Sequence, residues 1–188
     1  MSTLLKLKMH EFDDMVASGA FDTLEQRHIE LIHGELREMS PIGPQHADLV
    51  TWLTRWSTAH TTEKIGIRVG LSLGIPELDS VPEPDLAWIR PGVYRKQHPR
   101  PADVLLLIEV SYSSLNYDLG EKKELYAQAG VQEYWVVDVA AEKVHVFRNP
   151  SRNQFNESMT VGPGEPIAPL AEPTAVLDVA KLFLAGDR

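Results

Sequence analysis

The chain has 188 residues, of which 43% are hydrophobic and 24% charged, and its formal net charge is -9. That composition suits a globular chain with a substantial core, and the acidic balance argues against coating nucleic acid through bulk electrostatics. There is no run near the ~18 apolar residues of a membrane span, no signal-peptide core in MSTLLKLKMHEFDDM and no cysteine for disulfides or thiolate metal sites; the expectation is a cytoplasmic, single-domain protein over 1–188.

Residues 10–19, HEFDDMVASG, read as a short helix ended by Gly19. Ile29 to Met39 alternates apolar and polar around His33-Gly34, a β-hairpin signal that leaves Glu30 and Glu35 near the turn. After the loop from Pro41 to Pro44, a helix is expected from Gln45 to about Glu63. Leu49, Trp52, Leu53 and Trp56 form its buried stripe, and His46 extends that stripe at the first turn. Trp52 and Trp56 share the stripe and read as core rather than as a base-stacking platform.

Ile65 to Ile75 has β character, and Asp85 to Ile89 reads as a short strand between Pro84 and Pro91. Arg90 to Arg100 is a loop with four basic residues and no acid: Arg90, Arg95, Lys96 and Arg100. It is either a solvated loop or a phosphate-contacting one. A buried strand over 103–110, a helix over 117–129 stopped by Gly130, and a strand over 133–138 follow. Strand–helix–strand of this kind is right-handed when its strands are parallel. Val144 to Phe147 reads as a further strand, antiparallel to the last, and with Tyr134 and Trp135 it offers an edge for a homodimer. Residues 149–165 are expected as loop plus an edge strand, and Val176 to Leu184 as a terminal helix. The sum is an α/β (α+β) chain with a mixed sheet, a core of about 28–148 and a C-terminal extension of 149–188.

The chemistry centres on Glu109, which follows the apolar run Val104 to Ile108. A carboxylate there is costly to bury unless a metal, a cation or a proton compensates it. Asp85 opens the strand before it. If the two strands pair, both carboxylates converge on one cation, as Mg²⁺ is usually held, with an ammonium to steady a metal-bound water. Lys122 and Lys123 both flank the apolar stripe of the following helix, and spacing slightly favours Lys122. No HExxH, GxSxG, GxxxxGK[ST] or GxGxxG pattern offers another chemistry.

Four segments carry a family resemblance: ELIHGELREMSPIGPQH at 30–46, PEPDLAWI at 82–89, LLLIEVSYSS at 105–114 and DLGEKKELYAQAGVQEYWVVD at 118–138. The chain resembles the Uma2-type restriction endonuclease family of the PD-(D/E)xK nuclease superfamily. The resemblance implies a restriction-endonuclease-like mixed central sheet flanked by helices, and Mg²⁺- (or Mn²⁺-) dependent cleavage of phosphodiester bonds in DNA. Asp85 matches the aspartate of the Pro-Asp motif and Glu109 the acidic residue of the next strand. The superfamily's usual lysine position holds Ser111, so the lysine would come from the following helix as Lys122. Glu35 and His46 match recurrent positions and are expected at the rim, as an extra metal-binding carboxylate and a polar assistant. The alternative reading is a non-catalytic binding or assembly module on the same fold, suggested by the acidic charge and the displaced lysine.

Overall fold

The computed structural model describes residues 4–22, 28–39 and 41–184. Its centre is a six-stranded sheet in the order β3-β4-β5-β6-β7-β8. The strands are β3 Gly66–Val69, β4 Leu86–Ile89, β5 Val104–Ser111, β6 Glu133–Asp138, β7 Lys143–Ser151 and β8 Gln154–Val161. β5 and β6 are parallel and every other pair is antiparallel, so the sheet is mixed.

Period-two alternation puts two apolar faces on this sheet. Leu86, Trp88, Leu106, Ile108, Trp135 and Val137 form one face. It packs against α2 (Pro44–His60) through Leu53 and Trp56, and against α5 (Val179–Leu184) through Val179 and Leu182. Trp56 stacks on Trp88 with ring centroids 5.4 Å apart, and the buried Trp88 indole N–H donates to Ser57 at 2.8 Å. Trp56, read as core in the sequence, is core here, and Trp52 is partly buried against the same cluster. The other face, with Ala87, Leu107, Tyr134 and Val136, is covered by α4 (Lys123–Gln128) through Leu125 and Tyr126. Helices thus cover both sides of a mixed sheet, an α+β arrangement.

The crossover from β5 to β6 is α3 (Leu115–Tyr117), a π-helical turn over Asp118–Lys122, and α4, in unbroken succession. π-turns inside helices are rare and concentrate at functional sites. Tyr134, on β6 beneath, donates its hydroxyl to the Asp118 carbonyl at 3.1 Å. That bond satisfies a carbonyl inside the irregular turn.

At one end of the sheet, β1 (His28–Ile32) and β2 (Glu35–Met39) form the expected hairpin. His33 and Gly34 both have positive φ, as a two-residue turn of this hand requires. A Cβ on Gly34 would lie 2.8 Å from the Lys6 Cβ and 2.9 Å from the Leu7 carbonyl, so only glycine fits. α1 (Met9–Ala17) packs Met9 and Phe12 against Leu31 and Val81.

Several expectations change. β3 is four residues rather than a strand over 65–75, because Gly70 turns at φ +54 and donates its N–H to the Asp85 carbonyl. The stretch 144–147 is no edge: β7 runs on to Ser151 and is paired on both sides, by β6 and β8. Tyr134 and Trp135 are fully buried, so neither offers a dimer surface. The C-terminal stretch adds short strands β9 (Pro166–Ile167) and β10 (Leu177–Asp178), and its Leu177, Val179 and Leu182 belong to the larger core. Buried Glu133 ties it down, accepting from Arg148 at 2.6 Å and from the Leu170 N–H at 2.6 Å. No described helix is long and apolar enough to cross a membrane.

Candidate active site

The antiparallel register pairs Leu86 with Ile108, so Asp85, one step before, lies opposite Glu109, one step after. The two residues are also bonded through the backbone. The Val110 N–H donates to Asp85 Oδ2 at 2.7 Å, and the Asp85 N–H donates to Glu109 Oε2 at 3.3 Å. Glu109 is 3% exposed.

Lys122 enters from the π-turn. Its Nζ lies 3.0 Å from Glu109 Oε1 and 3.0 Å from Glu30 Oε1, and 5.6 Å from the centroid of the Tyr117 ring. Lys123 points elsewhere, over the ring of Phe147. Glu109 Oε1 also accepts from the Tyr126 hydroxyl at 3.0 Å. Asp118, four residues before Lys122, is buried and accepts from Ser111 and Ser114, both at 2.6 Å. Ser111 therefore pins the start of the helix from which the lysine comes.

His46, in the first turn of α2, meets Asp85 with Nε2 3.0 Å from Oδ1. A carboxylate only accepts, so Nε2 carries the proton. Nδ1 is buried with no partner among the described residues.

These groups line one side of a cavity of about 430 Å³. Glu35 is absent from its wall. Its carboxylate pairs instead with Arg37 at 2.8 Å and Lys6 at 3.4 Å, near the hairpin turn. The hairpin acid that does reach the cavity is Glu30, held by the Glu83 N–H at 2.7 Å. The basic loop is absent as well. Arg90 follows β4 at the end away from Asp85, and the loop joins the far ends of β4 and β5. Arg90, Arg95, Lys96 and Arg100 therefore do not stand beside the carboxylates, and the expected phosphate guide is displaced to the opposite sheet end.

The electrostatics follow from burial. Desolvation, opposed by Lys122 and reinforced by Asp85, Asp118 and Glu30, pushes the Glu109 carboxyl well above the usual range. Burial works against a charged Lys122, but Glu109 and Glu30 outweigh it and hold the ammonium on. Burial likewise opposes charge on His46, and the bond to Asp85 more than restores it. Five acids, Glu30, Glu83, Asp85, Glu109 and Asp118, thus line the cavity with Lys122, His28 and His46 among the described residues, and acidic side chains outnumber basic ones.

Among the described residues no three His, Cys, Asp or Glu side chains converge as a metal-binding group. Mg²⁺ does not require three, since it usually keeps several waters and takes one or two carboxylates. The neighbouring hard oxygen donors of Asp85 and Glu109, in a cavity with surplus negative charge, fit that habit.

The six-stranded mixed sheet with its crossover helix and the acidic cluster at the strand ends define a restriction-endonuclease-like fold. A crystal structure described as a "putative nuclease belonging to DUF820" from Anabaena variabilis is similar, with a TM-score of 0.69 and 14% identity over 84% of this chain and 90% of that chain. No curated protein matches. The Uma2 family, described as "Putative restriction endonuclease", matches residues 12–180. The chain belongs to the Uma2 family.

Proposed function

We propose that this chain hydrolyses phosphodiester bonds in DNA, with Asp85 and Glu109 holding a Mg²⁺ or Mn²⁺ ion. The observation that carries the reading is the in-register opposition of Asp85 and Glu109 with Lys122 3.0 Å from Glu109. When bound, such an ion polarises a phosphoryl oxygen and makes its water nucleophilic near neutral pH. Lys122, kept charged by Glu109 and Glu30, orients that water and stabilises negative charge developing on the phosphate. Glu30 and Tyr117 fix the ammonium in place. Tyr126 holds Glu109 from the other side, and His46 fixes the Asp85 carboxylate.

The test is Mg²⁺- or Mn²⁺-dependent cleavage of single- and double-stranded DNA by wild type and Glu109→Ala. Loss of cleavage in the variant is expected, and equal activity in both overturns the mechanism. One observation favours the alternative of a non-catalytic module: Lys122 is the single Lys or Arg among the described cavity-lining residues, and it is already engaged by two carboxylates. Calorimetric titration with Mn²⁺ separates the two readings. Heat that disappears in Asp85→Ala supports the nuclease, and no heat in wild type supports the module.

A further inference from the structure

We infer that the cavity takes an unpaired stretch of DNA, gripped by stacking at its mouth, and that intact duplex is excluded. The inference rests on the nuclease reading above and narrows its substrate.

Depth is the first ground. Glu109 is 3% exposed and Lys122 1% exposed, and both line a cavity of about 430 Å³. The phosphates of a base-paired duplex lie on the outside of a stiff cylinder and cannot follow such a cavity inward. Enzymes that act on buried atoms of DNA use single strands or pull a nucleotide out of the stack. An unpaired strand bends at each phosphate and reaches the floor.

Charge is the second ground. Duplex binding draws its affinity from Lys and Arg neutralising many phosphates, and such contacts make up half or more of protein–DNA hydrogen bonds. No Lys or Arg other than the buried Lys122 lines this cavity among the described residues, whereas Glu30, Glu83, Asp85, Glu109 and Asp118 do. The whole chain carries a net charge of -9. A long phosphate track has nothing here to hold it.

The mouth is the third ground. Two exposed side chains line the cavity: Tyr112, 62% exposed, directly after β5, and Ile42, 59% exposed, in the loop before α2. An exposed aromatic ring beside a catalytic-type cluster is the element that holds single strands without regard to sequence, because every base has a face to stack. The carboxylate floor with its cation takes the phosphate, and the apolar mouth takes the base.

The experiment uses the full chain with Ca²⁺, and an oligonucleotide carrying 2-aminopurine, read by fluorescence quenching and anisotropy. The single strand should bind at least about tenfold tighter than the duplex of the same sequence. Tyr112→Ala should weaken strand binding about tenfold and abolish the quenching, while Tyr112→Phe keeps both. Tyr112 is exposed, so neither change threatens the fold. Equal or tighter duplex binding, strand binding unaffected in Tyr112→Ala, or no binding of either form overturns the inference. The same oligonucleotides in Mg²⁺ keep the two readings apart. A strand bound with the expected preference but left uncut refutes hydrolysis and leaves the substrate inference standing. Duplex cut as fast as strand refutes the inference and leaves hydrolysis standing.

Discussion

Glu30 and Lys122 meet at 3.0 Å with both side chains 1% exposed, joining the N-terminal hairpin to the crossover helix through a fully buried ion pair. Breaking a buried pair by removing one partner typically costs about 3–5 kcal/mol, because the other charge stays desolvated. Lys122→Met should therefore lose stability on that scale as well as activity, since it strands Glu109 too. Adding Glu30→Gln to Lys122→Met should recover about 1 kcal/mol or more, because residues in one network do not act additively. Urea unfolding of both variants and of Glu30→Gln measures this, and additive losses would disprove the coupling.

Tyr134→Phe removes the hydroxyl that donates to the Asp118 carbonyl of the π-turn at 3.1 Å. The cost expected for losing one such bond is about 0.5–1.5 kcal/mol. Because the same turn carries Lys122, cleavage should fall further than the loss of folded protein explains. A variant that loses stability yet keeps full activity per folded molecule would show that the turn holds its shape unaided.

Arg148→Met should be destabilising without touching the chemistry. Glu133 has no exposed surface, and Arg148 is its charged partner at 2.6 Å. The loss should again be about 3–5 kcal/mol, measured by denaturant unfolding, with single-strand affinity unchanged. Reduced affinity at full folding would mean that the far side of the sheet communicates with the cavity.

Asp79 gives a pH test. Its carboxylate accepts from Lys8 Nζ at 2.8 Å and from the Met9 N–H, which ties the start of α1 to the turn at Asp79. The bond to Lys8 lowers the Asp79 pKa below its ordinary 3.8, despite some desolvation. A lowered folded pKa means stability fully present above pH 3.8 and lost as pH falls through the folded value. Asp79→Asn, which tolerates the left-handed φ of +43 at this position, should lower Tm slightly at pH 7. The difference from wild type should vanish near pH 2. A difference that persists there would assign the effect to packing.

The opposition of Asp85 and Glu109 was legible because each sits one residue from an apolar run, and antiparallel pairing does the rest. Lys122 against Lys123 was not resolvable from helical spacing alone, because a π-turn rather than a regular helix sets their directions. Glu30 escaped for a related reason. Alternation in β1 suggests a solvent face at Glu30, but Lys122 and the Glu83 N–H from distant elements meet it there. Asp118 carried a usable signal in its four-residue spacing from Lys122. The basic loop was misplaced although the clue was present: Asp85 opens a short strand that Arg90 follows, so the two must stand at opposite ends. β8 was hard to extend because its outward residues are nearly all polar, as suits an edge.

The Trp56 indole N–H reaches the Val176 carbonyl at 3.4 Å, 120 residues away in sequence, and α5 packs on α2 in the same core. During synthesis the larger core therefore cannot close until Leu182 has left the ribosome. Until then the apolar stripe of α2 and one face of the sheet stay open, the condition under which nascent chains recruit chaperones or aggregate. Non-local closure of this kind also slows folding once the chain is free. A shortened version ending before Leu177 would keep every proposed catalytic residue and yet be expected to accumulate as insoluble protein.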